Sequence, residues 1–86
     1  MYRVIWSNST LDALANIYVS LTAIDRERIA GGIEALNGQL AFAPHELGES
    51  REDEWRVVFV PLGSVLYQVF DDQRLVRVRK VIRYGK

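Results

Sequence analysis

The C-terminal stretch RLVRVRKVIRYGK, residues 74–86, holds six of the 11 lysines and arginines of a chain whose formal net charge at pH 7 is zero. In a β-strand, successive side chains point to opposite faces. The spacing therefore predicts a row of guanidinium groups on one face, beside Leu75 and Val81: Arg77, Arg79 and Arg83. The opposite face is predicted to carry Val76, Val78 and Ile82 with Lys80 and Tyr84. A cationic row attracts phosphates or an acidic partner.

The zero net charge hides an uneven distribution along the chain. Residues 1–54 contain four basic and nine acidic side chains, a net charge of −5, whereas residues 55–86 contain seven basic and two acidic ones, a net charge of +5. The single histidine, His45, could act as a general base near neutral pH, but it lies in an acidic loop remote from the basic strand. The acidic side chains of residues 46–54 lack spaced His or Asn partners, so we predict a solvated loop and no metal or cofactor site.

Length and composition limit the classes of protein that this chain can be. Its 86 residues are enough for one small domain. It has no cysteine, so disulfides and thiolate metal sites are excluded and packing must stabilise the fold. No apolar run approaches the roughly 18 residues of a membrane span and no leader is recognisable, so we expect a cytoplasmic protein.

The N-terminal half has the pattern of one strand and two helices. Residues 2–7 alternate and are rich in β-branched and aromatic types, which predicts a first strand. Apolar residues then recur at helical spacing over residues 9–21 and 26–41, with several possible caps before the first helix and Asp25 as the predicted cap of the second. Gly31 and Gly32 suggest a close crossing with the first helix.

The C-terminal half alternates with a period of two. The runs WRVVFV (55–60), SVLYQVF (64–70) and the stretch 75–82 read as three strands joined by short turns at residues 61–63 and 71–73. The predicted order is β-α-α-β-β-β in a single α+β domain over residues 1–86. We expect an antiparallel sheet with the helical hairpin on one face and the arginines on the other, open face.

This order of elements resembles the RelE/ParE superfamily of bacterial toxins over nearly the whole chain. The resemblance is carried by the pair Trp55-Arg56 that opens a strand, by the run Leu66-Tyr67-Gln68-Val69 before an acidic turn, and by the basic last strand. It implies the toxin of a type II toxin–antitoxin module, with a cognate antitoxin as partner. RelE-like members cleave mRNA on the ribosome, whereas ParE-like members poison DNA gyrase.

RNA cleavage of this kind would use the 2′-hydroxyl as nucleophile, without a metal or cofactor, and would need cations around the phosphorane and a proton-transfer group. We assign phosphate binding to Arg56, Arg79 and Arg83. Tyr84 is the candidate for proton transfer or base stacking. Contacts with RNA or the ribosome are assigned to Arg77, Lys80 and Lys86.

The chain departs from the superfamily at the residue three before the strand tyrosine, where many members have arginine and this chain has Ser64. Its pI of about 6.6 is also lower than that of the strongly basic nucleases of the superfamily. The sequence therefore leaves three hypotheses open: a ribosome-dependent mRNA endonuclease, a non-enzymatic gyrase poison, and an inactive toxin-fold domain that binds an antitoxin.

Overall fold

The computed structural model describes residues 1–52, 54–61 and 63–84. Predictions for Asp53, Leu62 and Lys86 therefore lie outside the described residues. The two helices are α1 (Asn8–Val19) and α2 (Ala23–Phe42), and single 3-10 turns occupy Pro44–Glu46 and Asp71–Gln73. The strands are β1 (Arg3–Trp6), β2 (Glu49–Ser50), β3 (Trp55–Val60), β4 (Gly63–Phe70) and β5 (Leu75–Arg83).

The strands form one sheet in the order β1-β5-β4-β3-β2. The predicted antiparallel meander of the last three long strands, β3, β4 and β5, is confirmed, and so is the helical hairpin that covers one face. The sheet as a whole is mixed rather than antiparallel, because β1 pairs in parallel with β5. The two-residue β2, within the predicted loop, adds a fifth strand beside β3.

Side-chain caps set where each helix begins. Ser7 Oγ accepts a hydrogen bond from the Thr10 amide at 3.2 Å, and this fixes the start of α1. The prediction that Asp25 caps the second helix is wrong. Thr22 is the cap, because its Oγ1 accepts from the Asp25 amide at 3.2 Å, and Asp25 instead places its carboxylate in the first turn of α2.

The core lies between α2 and the centre of the sheet. Leu36 and Leu40 of α2 pack on five buried side chains of β4 and β5: Val65, Tyr67, Val69, Val76 and Val78. The predicted close contact of Gly31 and Gly32 with the first helix is wrong. A Cβ on Gly32 would lie 2.8 Å from Pro61 Cδ, whereas a Cβ on Gly31 would have nothing within 4 Å. Gly32 therefore packs against Pro61, at the end of β3, where a side chain would not fit.

Candidate functional site

A β-bulge in β5 decides which of its basic side chains share a face. Leu66 of β4 pairs with Lys80, but its neighbour Tyr67 pairs with Val78, so Arg79 is an extra residue without a partner in β4. A bulge of this kind interrupts the alternation of side chains along a strand. The pattern therefore restarts at Lys80, one residue out of phase with the first half of the strand.

The predicted row of guanidinium groups is consequently wrong beyond Val78. Residues paired directly across neighbouring strands point to the same face, which places Arg83 opposite Gly63 and next to Val81 on the helix-facing side. Lys80 and Ile82 pair with Leu66 and Ser64, so they lie on the open face of the sheet, together with Arg77.

Arg83 lies under the helical hairpin instead of over the open face. Its Nη1 donates to Ser20 Oγ at 3.1 Å, just after the end of α1. Its Nε is buried and has no hydrogen-bond partner among the described residues. Leu14, Ile17, Ile29 and Ile33 line the same apolar crevice.

Arg56 also points to the helix-facing side, where it holds the loop that precedes β2. Its Nε donates to the Leu47 carbonyl at 3.1 Å. The single hydroxyl proton of Tyr67 is shared between the same carbonyl, 2.9 Å from Oη, and the Pro44 carbonyl, 2.8 Å from Oη. Tyr67 is fully buried. Burial raises the pKa of Tyr67, an effect that Arg56 partly opposes.

Arg79, the bulged residue, is exposed at the border between the sheet and α1. With Ser9, Thr10, Ala13 and Lys80 it lines a shallow groove of about 270 Å³. The four predicted catalytic residues therefore occupy separate surroundings: Arg56 at the loop, Arg79 at the bulge, Arg83 under the helices and Tyr84 on the open face.

Three of the predicted site residues share the open face: Arg77, Lys80 and Tyr84. Arg77 and Lys80 are exposed, and their cross-strand partners are Gln68 and Leu66. Tyr84 Oη donates to Ser64 Oγ at 3.0 Å, and the tyrosine ring lies 6.3 Å from that of Phe59. Tyr84 therefore covers the buried Ser64, the position at which many members of the superfamily carry arginine.

Sequence reasoning missed the apolar character of this face. Four hydrophobic side chains on it are 39 to 58% exposed: Ile5, Phe59, Ile82 and Tyr84. The alternation of WRVVFV already assigned Trp55, Val57 and Phe59 to one side of β3, which was the available signal. For Ile82 no such signal existed, because a strand without the bulge would have turned it to the core.

A second polar cluster lies at the β4–β5 turn. Asp71 Oδ1 accepts from Tyr2 Oη at 2.6 Å and contacts His45 Nε2 at 2.7 Å, and the Arg74 guanidinium lies 5.5 Å from the centre of the Tyr2 ring. The hydrogen bonds from Tyr2 and His45 lower the pKa of Asp71, and the bond to Asp71 raises the pKa of Tyr2. His45 thus connects its loop to the turn, and among the described residues it forms no hydrogen bond or ion pair with a predicted site residue.

No family model matches the sequence, and a search of curated proteins found no match. Solved structures do match. The isolated E. coli RelE toxin superposes with a TM-score of 0.69 at 14% identity, covering 100% of this chain and 87% of the toxin chain. The intact E. coli RelBE toxin–antitoxin complex gives 0.69 at 17% identity and covers 100% of both chains.

An archaeal RelE–RelB complex from Pyrococcus horikoshii OT3 gives a TM-score of 0.68 at 17% identity, with 99% of this chain and 97% of that chain covered. These likenesses extend over the whole chain and include both helices and the mixed sheet. Within the described residues, no helix is long and apolar enough to cross a membrane. The chain has the fold of the RelE toxins.

Proposed function

We propose that the protein is the toxin of a type II toxin–antitoxin module, in which a cognate antitoxin holds it inactive. The observation that carries this proposal is the superposition on RelE chains over the full length, two of them in complexes with the antitoxin RelB. A sheet with one face covered by helices and one face open offers such a partner a surface.

Ribosome-bound mRNA is the proposed target, cleaved without metal or cofactor through attack by the RNA 2′-hydroxyl. Arg77 and Lys80 stand on the open face beside Tyr84, so phosphates and an unpaired base have neighbouring contacts there. Tyr84 is the proton-transfer candidate because its hydroxyl is already oriented by Ser64. Arg79, the bulged residue of the same strand, is exposed and so is accessible to a phosphate.

A second candidate is a toxin that acts by binding alone, with DNA gyrase as its target. The placement of Arg56 and Arg83 favours it, because both guanidinium groups are turned to the helix side and donate within the molecule. Phosphate binding by either arginine in this arrangement requires breaking those contacts.

The experiment that separates the candidates expresses the chain alone in bacteria and follows growth, cleavage of ribosome-bound mRNA and supercoiling by gyrase. For the nuclease, we expect mRNA cuts and a loss on the order of 100-fold in cleavage rate for Tyr84→Ala or the double change Arg77→Ala with Lys80→Ala. Arg28→Ala is the matched control, since Arg28 lies on α2 with 63% of its side chain exposed.

Intact mRNA together with blocked supercoiling would assign the binding-only function. Harmless expression, with translation and replication both unaffected, would reject the toxin proposal.

A further inference from the structure

The open face changes in character from one edge to the other. Lys80, Leu66, Val57 and Glu49 are direct neighbours in register across β5, β4, β3 and β2. Directly paired residues point to the same face. One row across the sheet therefore runs from a cation through two aliphatic side chains to an anion.

We call Leu66 and Val57 the apolar centre of the face, and the neighbouring rows of paired residues extend it. Towards the end of β5, Ile82, Ser64 and Phe59 are paired in register, and Tyr84 lies over Ser64. On the other side, Gln68 pairs with Trp55 on β3 and with Arg77 on β5. The exposed parts of Phe59, Ile82 and Tyr84, between 42 and 58%, leave an apolar surface in water.

Charges of opposite sign flank this centre. Arg3 and Arg77 join Lys80 on the β1–β5 side, and none of the three forms an ion pair within residues 1–52, 54–61 and 63–84. On the β2 side stand Glu49 and, beside Trp55, Glu52. Arg51 contacts Glu49 at 3.1 Å, but both side chains are about half exposed or more, so their attraction is weakened by solvent.

We propose that the open face pairs with the same face of a second copy of this chain, in a symmetric dimer. A two-fold axis parallel to the strands, passing between Leu66 and Val57, reverses the row from edge to edge. It sets Lys80 of each copy against Glu49 of the other and Leu66 against Val57. Two sheets packed in this way lie about 10 Å apart with nearly aligned strands.

Charge complementarity identifies a second copy as a partner for the whole width of the face. The cation and the anion of the row lie at opposite ends and exchange places under the two-fold axis, whereas a phosphate chain laid across the face meets Glu49 as well as Lys80. A chain of zero net charge also has no overall repulsion from its own copy. The dimer would cover Arg77, Lys80 and Tyr84, so it competes with any partner that uses them.

The size of the face sets the expected strength. The two-fold axis pairs β5 with β2 and β4 with β3, and leaves β1 without a counterpart. Four strands at about 4.8 Å spacing and up to six residues at about 3.3 Å per residue span at most roughly 400 Å² per copy. The total of at most roughly 800 Å² lies below the size of stable interfaces, so we expect a weak, transient dimer with a dissociation constant on the order of 100 µM.

Sedimentation equilibrium of the full chain from about 5 to about 500 µM brackets such affinities. We expect a monomer–dimer equilibrium that Lys80→Glu and Glu49→Lys each weaken at least about tenfold, because like charges then face each other. The double variant with both changes should restore dimerisation to within about threefold, since the exchanged charges attract again. Arg28→Glu, the same charge change on α2, should leave the equilibrium unaltered.

The apolar centre has its own matched pair of variants. Phe59→Asp should abolish the dimer, and Phe42→Asp, at a phenylalanine of α2 that is 79% exposed, should not. A wild type that stays monomeric throughout the range overturns the proposal, as does a dimer that Lys80→Glu leaves intact or that Phe42→Asp disrupts. Growth arrest is scored separately, so a monomeric toxin contradicts the dimer alone and a harmless dimer contradicts the proposed function alone.

Discussion

At the scale of single residues, Arg56 connects the sheet to the loop before β2. Its guanidinium and the Tyr67 hydroxyl converge on the Leu47 carbonyl, which would otherwise be left without a partner in the partly buried interior. Tyr67 still contacts this carbonyl when Arg56 is removed, so the loss is that of charged hydrogen bonds to the Leu47 and Gly48 carbonyls. These bonds explain an arginine at this position, because they hold the loop before β2.

Arg56→Ala should lower the free energy of unfolding by about 1 to 2 kcal/mol, because charged hydrogen bonds to the loop are lost. Urea denaturation measures the change. Arg77→Ala, at an exposed arginine of the open face, is the control and should stay within about 0.5 kcal/mol of wild type. Equal stability of the two variants would show that the Leu47 contact contributes nothing.

Asp71 gives the fold a dependence on acid. Since its pKa is lowered in the folded state, its contribution to stability is complete above the unfolded value of 3.8 and is lost as pH falls through the lowered pKa. Asp71→Asn should therefore be less stable than wild type at pH 7, and the difference should vanish in strong acid. Thermal melts across this pH range test it, with Asp72→Asn as control. A difference that persists at the lowest pH would contradict the assignment.

At the scale of elements, the bulge in β5 is what the alternating pattern could not reveal. RLVRVRKVIRY reads as a regular strand, and a single unpaired residue at Arg79 reverses the faces of everything after it. The meander of β3, β4 and β5 was predictable because the period changes from helical to alternating after Pro44, whereas the parallel pairing of β1 with β5 was not predicted. Neither Arg79 nor its neighbours is a glycine, so no residue type in the sequence indicates a bulge there. The position of the bulge is set by the pairing of β5 with β4.

Deleting Arg79 tests this directly. The deletion joins Val78 to Lys80 and leaves a regular strand with every later side chain on its present face, so the variant should fold and keep the Tyr84–Ser64 contact. We expect its free energy of unfolding to change by less than about 1.5 kcal/mol, and NMR contacts between Tyr84 and Phe59 to remain.

Deletion of Arg77, a paired residue, is the matched control. Removing Arg77 shifts the alternation by one residue, so that core side chains on one side of the deletion turn to the open face. We expect this variant not to fold. If both deletions destabilise the chain equally, Arg79 is not the bulged residue.

At the scale of the whole molecule, stability rests on one small core. Leu40 is completely buried against the sheet, and natural domains gain only about 0.05 to 0.15 kcal/mol per residue. Leu40→Ala should cost about 2 to 5 kcal/mol, a large part of the total, and lower the melting temperature by about 10 °C or more. Val19→Ala, at a valine that is 76% exposed, should leave the melting temperature nearly unchanged. Calorimetry of both variants measures the two melting temperatures.

The candidate site was predictable in part at this scale. The basic strand and the open face follow from composition and period, and Arg77 lies on the open face as the alternation indicated, whereas the same alternation placed Lys80 and Tyr84 on the core side. Arg56 faces the helix side as the alternation of WRVVFV indicates, but its contact with the Leu47 carbonyl depends on how the loop before β2 folds. The position of Arg83 was not predictable, because the bulge at Arg79 turns it to the helix side, where it donates to Ser20 Oγ. Side-chain type indicates what a residue can bind, and only the packing determines what it does bind.

The parallel pairing of β1 with β5 has a consequence for how the protein is made. The first strand, Arg3–Trp6, has its sheet partner at residues 75–78, and β5 also completes the pairing of β4. Such contacts between the two ends form late and slowly. While a ribosome is still adding the last strand, β1 has no edge to join and the core is open on one side. The chain therefore completes its sheet only after residues 75–83 have left the ribosome, and until then the edges of β1 and β4 are open to other partners.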